Sequence, residues 1–266
     1  MKVKRVLLTG DDGYNSIGIR LLIHYLKDTY DLSIAGTKTQ QSGVGGKLSL
    51  NATLRWSECK VDDVKGVWVD GTPADTIEFA QGYFKNKFDL VISGINLGAN
   101  VSGSFITSGT IAAACRTIVV GLTEKAIVLS WNLPLKYWFR DHSERDDIKS
   151  YLDHPGKTAS KIVSLILKNN LWGSQFVNVN FPADKTKKIV FTRPLSNITK
   201  FYKYPVTIDN KTGTFIYPQD IVKKKADLQT DAGAIQRGYI SVTPCKIDMV
   251  DDRVFNRLKA NNINLT

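Results

Sequence analysis

The first 130 residues alternate between short apolar runs and segments of helical periodicity, and this alternation constrains the fold more than any other feature. Strands are expected at 5–9, 32–35, 88–93 and 126–130, and helices at 17–26, 73–84 and 109–120. Repeated strand–helix–strand units build a mostly parallel sheet with helices on both faces. We therefore predict an α/β core with a mostly parallel sheet, in which ligands bind at the carboxyl ends of the strands.

The pattern becomes less regular beyond residue 131. A connector is expected over 131–154, followed by a helix at 157–168 and a strand at 176–180. Aromatic and β-branched residues surround turn signals over 192–218, which indicates an extended hairpin arm. A strand at 238–243 and a helix at 250–260 complete the chain. We predict an α/β core over 1–195, and a second region over 196–266 that holds the arm, a strand returning to the core and a C-terminal helix.

The chain is basic, since 36 Lys and Arg residues against 25 Asp and Glu residues give a formal net charge of +11. Such a charge attracts polyanions. The lysines cluster at 184–188 and 223–225, in polar stretches without interleaved aromatic residues, so we interpret them as solvated loops rather than a nucleic-acid footprint. Nucleic acid is therefore not an expected partner.

Cysteine usage and hydropathy indicate the compartment. The three cysteines, Cys59, Cys115 and Cys245, are widely separated and form no CxxC pair, which favours a reducing environment. No apolar stretch approaches the roughly 20 residues that cross a bilayer, and the first residues lack the pattern of a signal peptide. We expect a cytoplasmic protein with no membrane partner.

Asp11 and Asp12 form the sharpest chemical feature of the sequence. They follow the first predicted strand directly and lie between Gly10 and Gly13. Two adjacent carboxylates repel each other unless a positive charge lies beside them, and a hard divalent cation with oxygen ligands relieves that repulsion. The alternative is an Asp-Gly turn in which an aspartate caps the following helix.

Two further segments carry groups that suit a metal or a phosphate. Ser42 lies in a glycine-rich loop after the second strand, where its hydroxyl is a candidate ligand, and Asn96 lies just beyond the strand at 88–93. Ser108, Gly109 and Thr110 open an Ala-rich helix, so that free amides, hydroxyls and the positive end of the helix dipole can hold a phosphate. The alternatives are a loop serine and an ordinary Ser/Thr cap.

With these segments in place, the chain resembles the SurE family of survival-protein 5′/3′-nucleotidases. The resemblance runs from the first strand to about residue 130 and resumes near 176. Seven motifs occur in the family's order: Gly10-Asp11-Asp12-Gly13, Ser42-Gly43, Gly71-Thr72-Pro73-Ala74-Asp75, Ser93-Gly94-Ile95-Asn96-Leu97-Gly98, Ser108-Gly109-Thr110, Asn178-Val179-Asn180-Phe181-Pro182 and Gly238-Tyr239-Ile240-Ser241-Val242-Thr243-Pro244.

The resemblance implies a Rossmann-like core over 1–195, a site and an assembly. One Mg²⁺- or Mn²⁺-type ion per subunit would be held by four oxygen-bearing residues: Asp11, Asp12, Ser42 and Asn96. Substrate phosphate would bind at Ser108, Gly109 and Thr110. The resemblance also implies a homo-oligomer, a dimer or tetramer, in which C-terminal segments reach a partner. Two departures are Gly10, where the family usually has asparagine, and the connector and arm, which match no family segment.

The resulting expectation is a metal-dependent phosphomonoesterase that hydrolyses nucleoside 5′-monophosphates, and 3′-monophosphates as a further substrate class, to nucleoside and phosphate. The ion would polarise the phosphoryl group and acidify a water molecule. Asp11 or Asp12 would orient or deprotonate that water, and an aspartyl-phosphate intermediate is the alternative route. Two rival functions remain, a basic nucleic-acid-binding protein and a nucleotide-binding sensor without turnover.

Overall fold

The computed structural model describes residues 3–172, 175–197, 199, 206–217, 224 and 226–259. Its strands are β1 (Arg5–Thr9), β2 (Asp31–Thr37), β3 (Trp56–Val61), β4 (Val64–Val69), β5 (Leu90–Leu97), β6 (Ala126–Trp131), β7 (Phe176–Phe181), β8 (Ile189–Phe191), β9 (Thr207–Asp209), β10 (Thr214–Ile216) and β11 (Ile240–Cys245). Its α-helices are α1 (Ile17–Leu26), α2 (Pro73–Phe84), α3 (Ser104–Thr107), α4 (Gly109–Val119), α5 (Thr158–Asn169), α6 (Asp231–Gln236) and α7 (Asp252–Leu258).

Within the described residues, nine strands form one sheet in the order β3-β4-β2-β1-β5-β6-β7-β11-β8. Two neighbouring pairs, β3 with β4 and β7 with β11, are antiparallel, and the other neighbours are parallel. One hydrophobic cluster packs α1 and α5 against one face, and a second packs α2 and α4 against the other. The predicted mostly parallel α/β sheet with helices on both faces is therefore confirmed.

The early helices form where the sequence predicts them, because each begins with a local cap. Ser16 caps α1 by accepting a hydrogen bond from the amide of Ile19 at 3.3 Å. Thr72 and Asp75 form a reciprocal capping box around Pro73, which lies in the first turn of α2. Ser108 caps α4 in the same way as Ser16 caps α1.

The structure differs most clearly from the predicted elements at three places. The strand expected at 88–93 continues as β5 to Leu97, with a register shift against β6 between Ser93 and Asn96. The hairpin of β3 and β4 was not predicted, and its turn is Asp62-Asp63 with both residues at positive φ, the geometry of a tight two-residue hairpin. The last strand is Ile240–Cys245, two residues later than expected.

The C-terminal region joins the core at β11 and carries a small separate hairpin. In the described part of the predicted arm, β9 pairs with β10 as an antiparallel ribbon, and Phe215 and Tyr217 are exposed. The arm's other aromatic residues, Phe201, Tyr202 and Tyr204, lie outside the described residues. Among the helices that the structure describes, none has both the length and the apolar character needed to span a membrane.

Candidate active site

Asp11 and Asp12 lie at the carboxyl end of β1, near the middle of the sheet. The neighbours of β1 are β2 on one side and β5 on the other. Both aspartates are buried, with only 4% and 5% of their surfaces exposed. Two adjacent carboxyl groups are thus held out of water at the edge where parallel sheets bind ligands.

The backbone and side chain of Asp11 are fixed by two other segments. The Oγ1 hydroxyl of Thr110 donates to Oδ1 of Asp11 at 2.5 Å, and the amide of Gln41 donates to the Asp11 carbonyl at 2.7 Å. Gly109 comes so close that a Cβ atom on it would lie 2.9 Å from both Cβ and Oδ2 of Asp11. The first turn of α4 therefore packs directly on this carboxylate, and glycine is required at 109 by that contact.

Asp12 is held from β5, since the amide of Leu97 donates to its Oδ2 at 2.9 Å. Burial, together with the negative charge of Asp11, raises the pKa of Asp12 to about 8. Burial also raises the pKa of Asp11, although the hydroxyl and the amide of Thr110 act in the opposite direction. Burial is the largest cause of both shifts, because it disfavours the charged form of each carboxyl group, and at Asp12 the charge of Asp11 adds to it.

No basic side chain of the described residues forms an ion pair with Asp11 or Asp12. The helix-capping alternative for these aspartates is wrong, because Ser16 caps α1. Across the described ranges no group of three or more His, Cys, Asp or Glu side chains could hold a metal ion. An ion at this pair would therefore take its further ligands from neutral oxygens, a donor set that suits Mg²⁺ or Mn²⁺ better than zinc.

Asn96 lies on β5, which flanks β1 on one side, and Ser42 lies in the loop after β2, which flanks β1 on the other side. Asn96 belongs to β5 rather than following it, and its Nδ2 donates to the carbonyl of Gly98 at 2.8 Å. That bond fixes the amide group, and no described residue donates to its Oδ1. Ser42 is partly buried and follows Gln41, whose amide binds Asp11, and its hydroxyl has no hydrogen bond to the described residues.

The segment Ser108 to Thr110 lies against Asp11, but its groups are not equally free. The Ser108 hydroxyl accepts from the Ile111 amide at 3.1 Å and can still donate its own proton. The Thr110 hydroxyl is committed to Asp11. No described residue accepts a hydrogen bond from the amide of Gly109, so this amide and the Ser108 hydroxyl are the donors that α4 offers beside the carboxylates.

A buried polar network behind the site was missed by the sequence analysis. The Nδ2 group of Asn100 donates to Ser130 at 2.9 Å and lies 3.3 Å from the Thr110 hydroxyl. The backbone of Asn100 accepts from Asn178 and exchanges hydrogen bonds with Asn180 on β7. The signal was the alternation Asn178-Val179-Asn180, which places two amides on one face of a buried strand where they need partners.

The connector after β6 also reaches the site, and sequence reasoning gave it no role. Its segment 135–137 forms a 3₁₀ turn followed by Trp138. The indole ring of Trp138 lies on Gly98, where a Cβ atom would be 2.8 to 3.0 Å from three of its atoms. Gly98 has a φ of +149°, so a side chain there is disfavoured by both conformation and contact.

Comparison with known proteins gives matches along nearly the whole chain. A family model described as "Survival protein SurE" matches residues 6–201. A "5′-nucleotidase SurE" of Archaeoglobus fulgidus is 32% identical over 254 aligned residues, covering 92% of each chain. A "5′-nucleotidase SurE" of Pelotomaculum thermopropionicum is 31% identical, covering 96% of this chain and 94% of that protein. The crystal structure of SurE protein from Aquifex aeolicus superposes with a TM-score of 0.71 at 29% identity, covering 96% and 98% of the two chains.

Proposed function

The chain belongs to the SurE family of survival proteins, and we propose that it is a divalent-metal-dependent phosphomonoesterase that hydrolyses nucleoside 5′- and 3′-monophosphates. The observation that carries the proposal is the buried pair Asp11 and Asp12, which has no basic partner among the described residues and lies against the first turn of α4. The relatives named 5′-nucleotidase support the same chemistry.

The proposed metal ligands are the four residues that the sequence indicates: Asp11, Asp12, Ser42 and Asn96. Each carboxylate uses one oxygen for a protein donor, Thr110 or Leu97, and keeps the other for an ion. Asn96 presents its Oδ1 because its Nδ2 is bound to Gly98. When bound, a hard divalent cation supplies Lewis-acid stabilisation of phosphoryl oxygens and lowers the pKa of a water molecule.

The protein groups around the pair bind and orient the substrate phosphate. The Gly109 amide and the Ser108 hydroxyl donate to phosphoryl oxygens at the positive end of α4, where developing negative charge is stabilised. Thr110 acts on the phosphate only indirectly, because its hydroxyl orients the carboxylate of Asp11. Asp11 or Asp12 then accepts the proton of the attacking water.

We further propose a homo-oligomer, a dimer or tetramer, assembled through the region 196–266 while the core over 1–195 carries catalysis. This proposal rests on exposed apolar surface in the C-terminal region. Phe215 and Tyr217 are 58% and 75% exposed on the hairpin, and Phe255 of α7 is 55% exposed. A two-stranded hairpin is marginal alone in water, so a second chain is the natural cover. Cys59, Cys115 and Cys245 form no disulfide within the described residues, which supports the proposed cytoplasmic location.

One assay tests the function: phosphate release from a panel of 5′- and 3′-nucleoside monophosphates, with Mg²⁺, Mn²⁺ or excess chelator. Wild type should be active only with metal, and Asp12→Asn should be inactive. Asp63→Asn is the matched control, because its side chain is 82% exposed in the β3–β4 turn and asparagine tolerates positive φ.

The outcomes separate the rival functions. Full activity in excess chelator would contradict the metal mechanism. Nucleotide binding without phosphate release, under all metals, would favour the sensor. Salt-dependent binding of duplex DNA without phosphatase activity would favour a nucleic-acid-binding protein. The ion pair of Lys185 with Asp153 already reduces the free charge of one lysine cluster.

A further inference from the structure

The segment that carries Trp138 lies across the carboxyl end of β1. Its ring contacts Gly98, the residue after β5, and its carbonyl accepts a hydrogen bond at 3.3 Å from the Nε2 group of Gln40, which follows β2. Since β2 and β5 flank β1 in the sheet, contacts on both sides put the Trp138 segment over the end of β1. Asp11 and Asp12 lie at that end.

The ring contacts a residue that is adjacent in sequence to a residue bound to Asp12. Gly98 follows Leu97, whose amide binds Asp12, and Gly98 also accepts the hydrogen bond that fixes Asn96. Successive Cα atoms are about 3.8 Å apart, so the indole lies within a few residues' reach of the acidic pair. A substrate with its phosphate at Asp12 must extend past this ring or away from it.

The indole is held rigidly and is not part of the core. Its Nε1 donates to the carbonyl of Leu133 at 2.8 Å, which fixes the orientation of the ring. None of the hydrophobic clusters formed by the described residues includes Trp138, and the side chain is only partly buried. No other aromatic ring or cation of the described chain stacks on it.

We propose that Trp138 is the platform on which the nucleobase of the substrate stacks, and that this contact selects nucleotides over phosphomonoesters without a base. The inference rests on the proposed function, because it takes the phosphate to lie at Asp11 and Asp12. A fixed indole without a free donor offers a π-face and no hydrogen bond. Every base has a π-face, so the platform accepts all bases and favours the larger purines.

The test compares adenosine 5′-monophosphate with ribose 5-phosphate, which keeps the phosphate and sugar but lacks the base. For Trp138→Ala we expect kcat/KM for the nucleotide to fall by about 10- to 100-fold, the scale of one lost base–aromatic stack, mostly through KM. Hydrolysis of ribose 5-phosphate should not change. Trp138→Phe should retain most of the nucleotide preference, and Phe139→Ala, which removes the exposed neighbouring ring, should behave as wild type.

Equal losses for both substrates would overturn the proposal, because they would mean that the ring only supports the segment at Gly98. Unchanged kinetics for both would overturn it as well. Calorimetric binding of the two compounds in excess chelator keeps the test independent of turnover. A wild type that binds the nucleotide more tightly, with the preference lost in Trp138→Ala, supports the platform even if no phosphate is released. A wild type without that preference contradicts it.

Discussion

The Oγ1 hydroxyl of Thr110 donates a 2.5 Å hydrogen bond to Oδ1 of Asp11, across 99 residues of sequence. The bond exists because α4 begins beside the carboxyl end of β1, with Gly109 in contact with the aspartate. It orients one oxygen of Asp11 toward the helix and leaves the other for a ligand. We therefore propose that Thr110 positions the carboxylate rather than donating directly to phosphate.

Replacing Thr110 by valine removes this hydroxyl with little change in volume. We expect turnover of every phosphomonoester to fall alike, by about 10- to 1000-fold, the scale of losing one organised donor in an active site. Thr110→Ser keeps the hydroxyl and should retain activity. Thr117→Val is the matched control, since Thr117 is equally buried on α4 but its hydroxyl donates to the Ala114 carbonyl and not to Asp11. A change in base preference at unchanged rate would contradict the assignment.

Ser108→Ala tests the phosphate donor itself. The substitution removes the N-cap of α4, so we expect a loss of about 0.5 to 2 kcal/mol of stability by urea unfolding. It should also lower kcat for nucleotides and ribose 5-phosphate by the same factor, because the lost contact is to phosphate. Ser16→Ala removes the corresponding cap of α1 and provides the control. If both variants lose stability but neither loses activity, Ser108 does not bind phosphate.

Gly109→Ala tests how closely α4 must approach Asp11. The added Cβ would lie 2.9 Å from the Asp11 carboxylate and 3.0 Å from Pro73, so one of them must move. We expect overpacking to cost about 1 to 3 kcal/mol and activity to be lost. Gly82→Ala, on the exposed surface of α2 with no atom within 4 Å of the new Cβ, should instead be neutral or stabilising. Urea unfolding curves and phosphate release are measured on both variants. A Gly109→Ala variant as stable and as active as Gly82→Ala would contradict the close contact with Asp11.

The assembly is tested by light scattering at micromolar concentration. We expect an even multiple of the 29.6 kDa chain mass, because a second subunit would cover the exposed rings of Phe215 and Tyr217 on the hairpin. The double variant Phe215→Ser with Tyr217→Ser should shift the protein to a smaller species. Phe139→Ser, which removes an equally exposed ring outside the arm, should leave the mass unchanged. A wild type of 29.6 kDa would contradict the oligomer.

The sequence predicts the core elements well because their signals are local. The bounds of α1 match residue for residue, since Ser16 and the apolar spacing after it mark the helix directly. The β3–β4 hairpin is not predicted, because β3 is an edge strand with half its residues exposed and so lacks a continuous apolar run. The repeated alternation of strands and helices also gives no reason to expect a hairpin at this point. Asp62-Asp63 was its only local mark.

The site is less predictable, because sequence order does not show which loops meet. Adjacent carboxylates at the end of a strand indicate a ligand site by themselves. The contact of Asp11 with Thr110 follows only once α4 is known to begin beside β1. Trp138 had no signal in the sequence, since its proposed role follows from Gln40 and Gly98 being brought to the same place by β2 and β5.

The buried pair also predicts how stability depends on pH. In the unfolded chain Asp12 titrates near 3.8, whereas burial and Asp11 raise its pKa to about 8 in the folded, metal-free protein. Between these values the unfolded state binds fewer protons, so the free energy of unfolding falls as pH rises from about 4 to 8 and then levels off. Asp12→Asn removes this titration. In excess chelator at pH 8 it should therefore be more stable than wild type, by at least about 1 kcal/mol, the value of one pKa unit.

Saturating Mg²⁺ should reverse the order, because an ion that binds only the folded protein stabilises it by mass action and the variant has lost a ligand. Urea unfolding at pH 4.5, 6 and 8, with chelator or with metal, measures both effects, and Asp63→Asn should follow wild type throughout. The stability difference between wild type and Asp12→Asn in chelator should shrink as pH falls and disappear below about pH 3.8, where Asp12 is protonated in both the folded and the unfolded state. If wild type and Asp12→Asn instead run parallel at every pH, and Mg²⁺ stabilises neither, the two aspartates hold no ion and the proposed metal site is wrong.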